Sequence, residues 1–171
     1  RGVVTLAGGA SVLAVVTHLH HATPDEAHRD EQARQLVAWL AAAPATDAVI
    51  VVGDFNAEPD EAAYARMGAA GFRSAHLEAN GAEPAVTWPS GIDAPGKDTD
   101  GSPGCLDYIW IRGAVAVESC RLAFDRPISW AEHTTIGSPF LQSGVTLSSI
   151  SGSRAQNRPY QGSGNPGAER R

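Results

Sequence analysis

Five consecutive apolar residues, Ala48-Val49-Ile50-Val51-Val52, run straight into Gly53-Asp54-Phe55-Asn56. A run of strand length without polar alternation suits a central β-strand covered on both sides. Asp54 and Asn56 lie two residues apart at its C-terminal end, so in an extended chain they share a side, at the sheet edge where α/β proteins bind ligands. The carboxylate could orient a water nucleophile or a metal ion, and the amide could donate to a phosphate oxygen. Gly, Asp and Asn are also ordinary turn formers, so these four residues alone leave both readings open.

The elements around this strand can be read outward from it. Residues 2–6 and 11–17 are aliphatic and β-branched and flank Ala7-Gly8-Gly9-Ala10, the pattern of a hairpin whose second strand delivers His18 at its end. A helix follows, with Thr23 as cap, Pro24 in the first helical position and Glu26 three residues after the cap. Ala33, Leu36, Val37 and Leu40 recur at helical spacing, and Pro44 ends the pattern. Beyond the central strand, residues 59–70 read as a short helix stopped by Gly71, and residues 89–104 as a Gly-, Pro- and Asp-rich loop. Two further strands, 106–111 and 115–124, are expected around a tight turn at Gly113. From residue 143 onward Ser, Gly, Asn, Gln, Arg and Pro dominate, a composition that cannot bury enough surface to offset its ordering entropy. The expected organisation is one domain over residues 1–142 and a disordered tail over 143–171.

Composition narrows the class. The chain has 171 residues, 43% hydrophobic and 19% charged, with a mean hydropathy of -0.17. That is enough for one domain with a real core. Its apolar runs are far too short to span a bilayer. A formal charge of -6 argues against wrapping generic nucleic acid, which needs a basic surface, but not against a phosphate substrate met by a metal ion. Arg1 opens directly into a strand-like run without a targeting segment, so the chain is expected to begin elsewhere. Cys105 and Cys120 flank one strand and could be bonded or reduced.

Other residues could carry chemistry. Thr17-His18-Leu19-His20-His21 sets three histidines at a strand end, and alternation would let His18 and His20, but not His21, act together. Asp107 interrupts the apolar strand Leu106-Asp107-Tyr108-Ile109-Trp110, where an unpaired carboxylate would be costly. Glu132-His133 joins an acid to an imidazole. Asp98-Thr99-Asp100-Gly101 lacks the ligand spacing of a calcium loop and reads as solvated.

The order of these motifs resembles a family. Strand-Thr17-His18-Leu19, helix, strand-Gly53-Asp54-Phe55-Asn56, Thr87-Trp88-Pro89-Ser90, Leu106-Asp107-Tyr108-Ile109-Trp110 and the acid–His pair follow the second half of the endonuclease/exonuclease/phosphatase family over roughly residues 1–133. The resemblance implies an α+β fold: half of the four-layered sandwich of the deoxyribonuclease I-like type, a mixed or antiparallel sheet with helices on one face. It implies metal-dependent hydrolysis of a phosphate ester with Mg2+ or Mn2+, the substrate being nucleic acid, a phospholipid head group or a small phosphate ester. By the same resemblance His18 contacts the phosphate and Asp54 orients or deprotonates the attacking water. Asn56 holds a phosphate oxygen, Asp107 supports the phosphate-contacting histidine, and His133 is the terminal catalytic histidine. Asp54, Asn56 and Glu132 lie on the metal side. Two departures stand out: Glu132 occupies a place where the family usually has aspartate, and nothing before residue 12 offers the Asn and Glu of the family's N-terminal lobe. The chain is therefore expected to be inactive without that lobe; a non-catalytic binding domain of the same fold is the alternative.

Overall fold

A computed structural model describes residues 1–22, 24–88, 103–123 and the backbone of 144–146. The hairpin forms as expected: β1 (Gly2–Thr5) pairs antiparallel with β2 (Ser11–His18). Helix α1 (Glu26–Ala41) then crosses over, and β3 (Ala48–Asp54) returns parallel to β2. α2 (Ala62–Ala69), the two-residue β4 (Arg73–Ser74) and the short α3 (Ala75–Asn80) lead towards β5 (Asp107–Gly113). β5 lies antiparallel to β3, giving a five-stranded mixed sheet in the order β1-β2-β3-β5-β4.

Alternation along the strands sorts their side chains onto two faces. Leu13, Val15, Val49, Val51, Tyr108 and Trp110 point to one face, where Ala33 and Leu40 of α1 and Ala63 and Met67 of α2 close the main core. The helical spacing read from the sequence is thus the stripe that packs. Asp30 with Arg66, and the buried Arg29 with Glu61 (2.7 Å), tie the two helices together. On the other face, Ala75 and Ala79 of α3 join Ile109, Ile111, Val115 and Cys120 at one end of the sheet. Further along that face, Val16 is 79% exposed, and Ala14, Val16, Ile50 and Val52 line an open apolar groove with Arg1 and Gly2. The expectation of a central strand covered on both sides therefore needs correction. Among the described residues, β3 has full cover on the helical face only.

Four local expectations also change. Thr23 lies outside the described residues, and α1 starts at Glu26 with Asp25 as N-cap, without a side-chain capping bond. Asp25 faces His20 instead (3.3 Å), and the Glu26 carboxylate accepts from the Ala62 N–H at the start of α2. α2 begins later than Pro59, because Pro59 and Asp60 form a turn closed by the Glu61 N–H on Glu58 O. The chain does turn at Gly113, yet the next strand, β6 (Ser119–Arg121), is short and pairs with β7 (Gly144–Thr146) rather than with β5. β4 already occupies that edge of β5 at Trp110 and Ile111, which blocks a simple hairpin. β7 also falls inside the stretch expected to be disordered: Val145 and Thr146 are β-branched and β6 offers an edge to pair with. Residues 147–171 and 89–102, the latter holding the Asp98–Gly101 loop, lie outside the described residues. Cys105 and Cys120 are both buried free thiols. No described helix is long and apolar enough to cross a membrane.

Candidate active site

The sheet topology brings three of the candidate side chains to one edge. β2 and β3 run parallel, so their C-terminal ends coincide; β5 runs against them, so its N-terminal end arrives at the same place. The register is direct: His18 is the cross-strand partner of Asp54, and Asp54 is that of Asp107. By alternation all three belong to the face that carries Val16, Ile50 and Val52, the face that α1 and α2 leave open.

The residue after each acid goes the other way and anchors it. Phe55 follows Asp54 and Tyr108 follows Asp107; both rings are buried in the main core and meet edge-on, with centroids 5.8 Å apart. Tyr64 and Trp110 complete the aromatic cluster beneath the site. The Tyr108 hydroxyl lies 2.5 Å from Cys105 O and 2.8 Å from Ala57 O, within donating range of both. Gly53 lets the strands close up. A Cβ there would fall 1.9 Å from Thr17 O, and its φ of +150° is one that L side chains rarely adopt. The polar edge is thus set on a rigid apolar base.

Asp54 accepts the Asn56 N–H at 2.7 Å, a local turn that Asn56 completes in the left-handed region at φ +48°. Its other carboxylate oxygen is 3.5 Å from His18 Nε2. Burial pushes the Asp54 carboxyl up, while the Asn56 N–H and the charges of His18 and His21 pull it back. Asp107 is displaced further, to about 6: burial and the Asp54 charge raise it, and the Thr87 hydroxyl and His18 lower it. Two acids on directly paired strand positions and partly desolvated favour a nearby positive charge.

This arrangement costs stability, and the sign can be worked out. Because the folded pKa of Asp107 lies above its unfolded value, the folded state binds more protons between about pH 4 and 6, so stability falls across that window and the whole penalty is present above it. Asp107→Asn can still accept from Thr87 but carries no charge. We expect it to stabilise the protein by on the order of 1–2 kcal/mol at pH 7 and to change nothing below pH 4. Denaturant titrations at the two pH values check this; equal stabilisation at both would mean the charge is not the cause.

The other candidates settle differently. Asn56 Nδ2 donates to Leu19 O at 2.9 Å, so its amide laces the β3 exit to the β2 exit. His20 does not join His18. Its N–H is held by Gln32 Oε1, its ring by Asp25, and His28 lies against it with centroids 4.8 Å apart. β2 ends at His18, so strand alternation no longer applies beyond it, and it is His21 whose charge reaches Asp54. Arg29 fixes this histidine turn from α1 through Ala22 O. Glu132 and His133 lie outside the described residues. Two residues not singled out as site candidates stand out in the structure. Thr87 is 1% exposed and bonded to Asp107, and Glu58 accepts the Cys105 N–H at 3.1 Å. Thr87 opens the motif Thr87-Trp88-Pro89-Ser90, a signal that by itself assigns it no role, and Glu58 reads as the surface acid of a turn.

As for a divalent ion, Asp54 and Asp107 offer hard oxygen donors whose raised carboxyls a cation would relieve, the chemistry that magnesium favours. Among the described residues, however, no group of three or more Asp, Glu, His or Cys is arranged to hold a metal. The set fits a half-site, with further ligands required from outside it.

Comparison with known proteins places this geometry. The model of the endonuclease/exonuclease/phosphatase family matches residues 1–129, and the chain belongs to that family. Among solved structures, D. rerio TDP2 complexed with single-strand DNA product is 22% identical with a TM-score of 0.60, covering 74% of this chain and 52% of that one. An endonuclease/exonuclease/phosphatase protein from Bacteroides vulgatus is 22% identical with a TM-score of 0.51, over 68% and 43%. The human Nocturnin catalytic domain with bound sulfate is 29% identical with a TM-score of 0.47, over 67% and 40%. None of the curated proteins matches. The fold is the deoxyribonuclease I-like α+β type, and the chain spans 40–52% of the length of these three structures.

Proposed function

We propose that this chain is the C-terminal lobe of a metal-dependent phosphoesterase. The observation that carries the reading is the direct register of His18, Asp54 and Asp107 at one sheet edge, with both carboxyls raised. In this reading Asp54 orients or deprotonates the attacking water, while its bond to the Asn56 N–H keeps one oxygen fixed and leaves the other towards His18. His18, 69% exposed in its side chain, reaches the phosphate, and Asp107, one strand beyond Asp54, takes the supporting role that the family resemblance gives it. Asn56 acts on a phosphate oxygen. The family resemblance adds His133 as the terminal catalytic histidine and Glu132 on the metal side. Mg2+ or Mn2+ supplies charge neutralisation on the phosphate and the leaving group when bound. Asp54 and Asn56 would hold it from this lobe, and Asp107, directly across from Asp54, would offer a further oxygen.

The open apolar face bears on the other lobe. Ile50 and Val52 have the composition of a doubly covered strand, and the three site residues lie on the same face. A second sheet seated there would cover the strand and stand beside the acids, where the remaining metal ligands are needed. The substrate is a phosphate ester; nucleic acid, a phospholipid head group and a small phosphate ester all present the same group. TDP2 of this fold was captured with single-strand DNA product, which keeps nucleic acid in that set.

The test is hydrolysis of bis(4-nitrophenyl) phosphate by a chain carrying both lobes. Activity should disappear with EDTA and return with excess MgCl2 or MnCl2. Turnover indifferent to chelation, or no turnover on any phosphate ester, would leave the non-catalytic binding domain as the better reading.

A further inference from the structure

Among the described residues, Asp107 enters β5 without a strand neighbour on its outer side, since β4 pairs only at Trp110 and Ile111. On the inner side the Phe55 N–H donates to Leu106 O at 2.8 Å. The Leu106 and Asp107 N–H groups are taken up by one side chain. Thr87 Oγ1 accepts from Leu106 N at 2.8 Å and from Asp107 N at 3.0 Å. A hydroxyl oxygen has two lone pairs to fill, and here both are used. Thr87 is buried at 1% exposure, so water cannot replace those bonds.

The threonine is itself held firmly. Its N–H and that of Trp88 both donate to Gly104 O, at 2.8 and 3.0 Å, and the Gly104 N–H returns to Trp88 O at 2.7 Å. Glu58 Oε2 takes the next N–H, that of Cys105. Gly104 makes room for this carboxylate, because a Cβ there would fall 1.6 Å from Glu58 Oε1. Each N–H from Gly104 to Asp107 therefore has a named partner.

We propose that Thr87 is a positioning residue: its hydroxyl fixes the Asp107 carboxylate against Asp54 and His18 by holding the two peptide groups that lead into it. The role deepens the phosphoesterase reading and rests on it for its catalytic consequence, but the clamp itself is a matter of geometry. Outer partners of this kind typically change activity 10- to 100-fold when removed.

The experiment compares Thr87→Val, which keeps the volume and loses the hydroxyl, with Thr87→Ser, which keeps the hydroxyl. In the two-lobed protein, kcat for bis(4-nitrophenyl) phosphate should fall about 10- to 100-fold in Thr87→Val with KM little changed, and Thr87→Ser should restore it to within about threefold. In an Asp107→Asn background Thr87→Val should cost less than about twofold, since the carboxylate being positioned is gone. Amide exchange at Leu106 and Asp107, read in the 171-residue chain, should quicken in Thr87→Val and not in Thr87→Ser. An unchanged kcat in Thr87→Val, or the same loss with and without Asp107, overturns the proposal. Exchange that follows the hydroxyl in a parent without turnover upholds the clamp and removes the phosphoesterase reading instead. If Thr87→Val does not fold, the unsubstituted chain decides: unprotected Leu106 and Asp107 amides overturn the clamp, and protected ones uphold it.

Discussion

Asp54→Asn, made in a chain carrying both lobes, is expected to lower kcat for phosphodiester hydrolysis by about 10^2- to 10^4-fold, the range of a positioned acid–base group. The substitution is isosteric. An amide oxygen can still accept the Asn56 N–H that the carboxylate accepts at 2.7 Å, so the turn and the left-handed Asn56 should survive. What disappears is the negative charge beside His18 and across from Asp107. Folding should not suffer at neutral pH, because Asp54 is partly desolvated and its charge is held at a cost. Steady-state kinetics together with thermal melts separate the two effects. Activity within about tenfold of the parent, in a variant that melts normally, would remove Asp54 from the chemistry.

How much of this could be read beforehand depends on how local the determinants are. The central strand was legible because a run such as Val49-Ile50-Val51-Val52 has few other uses, and the stripe of Ala33, Leu36, Val37 and Leu40 likewise became the packed face of α1. The meeting of His18, Asp54 and Asp107 was legible as a place, since each sits at a strand end. Their chemical roles rest on the family likeness and on experiments such as the one above. What was not legible depends on partners distant in sequence. His20 faces Asp25 because β2 stops at His18, and alternation says nothing about where a strand stops. β6 finds β7 because β4, only two residues long, already holds the edge of β5. Thr87 stands in the Thr87-Trp88-Pro89-Ser90 motif twenty residues before Asp107, and only the folded chain shows its hydroxyl oxygen holding the Leu106 and Asp107 N–H groups.

The uncovered face bears on the second large effect. The 171-residue chain by itself is expected to hydrolyse phosphodiesters at no more than about a thousandth of the rate of the two-lobed protein, with magnesium present in both. Two features of the fold lead there. The described residues provide no group of three acids, imidazoles or thiolates able to hold a metal, so charge neutralisation on the phosphate would lack its support. The site acids also open onto the face where Val16 is 79% exposed, so water would compete for every polar contact that a covered centre keeps for the substrate. Covering that face would exclude water, strengthen the electrostatics and bring further ligands in one step. The measurement is turnover of bis(4-nitrophenyl) phosphate by each protein across a magnesium titration, with Asp54→Asn as the control. Robust magnesium-dependent turnover by the 171-residue chain, lost in Asp54→Asn, would show that this lobe carries a complete metal centre, built from residues outside those described here.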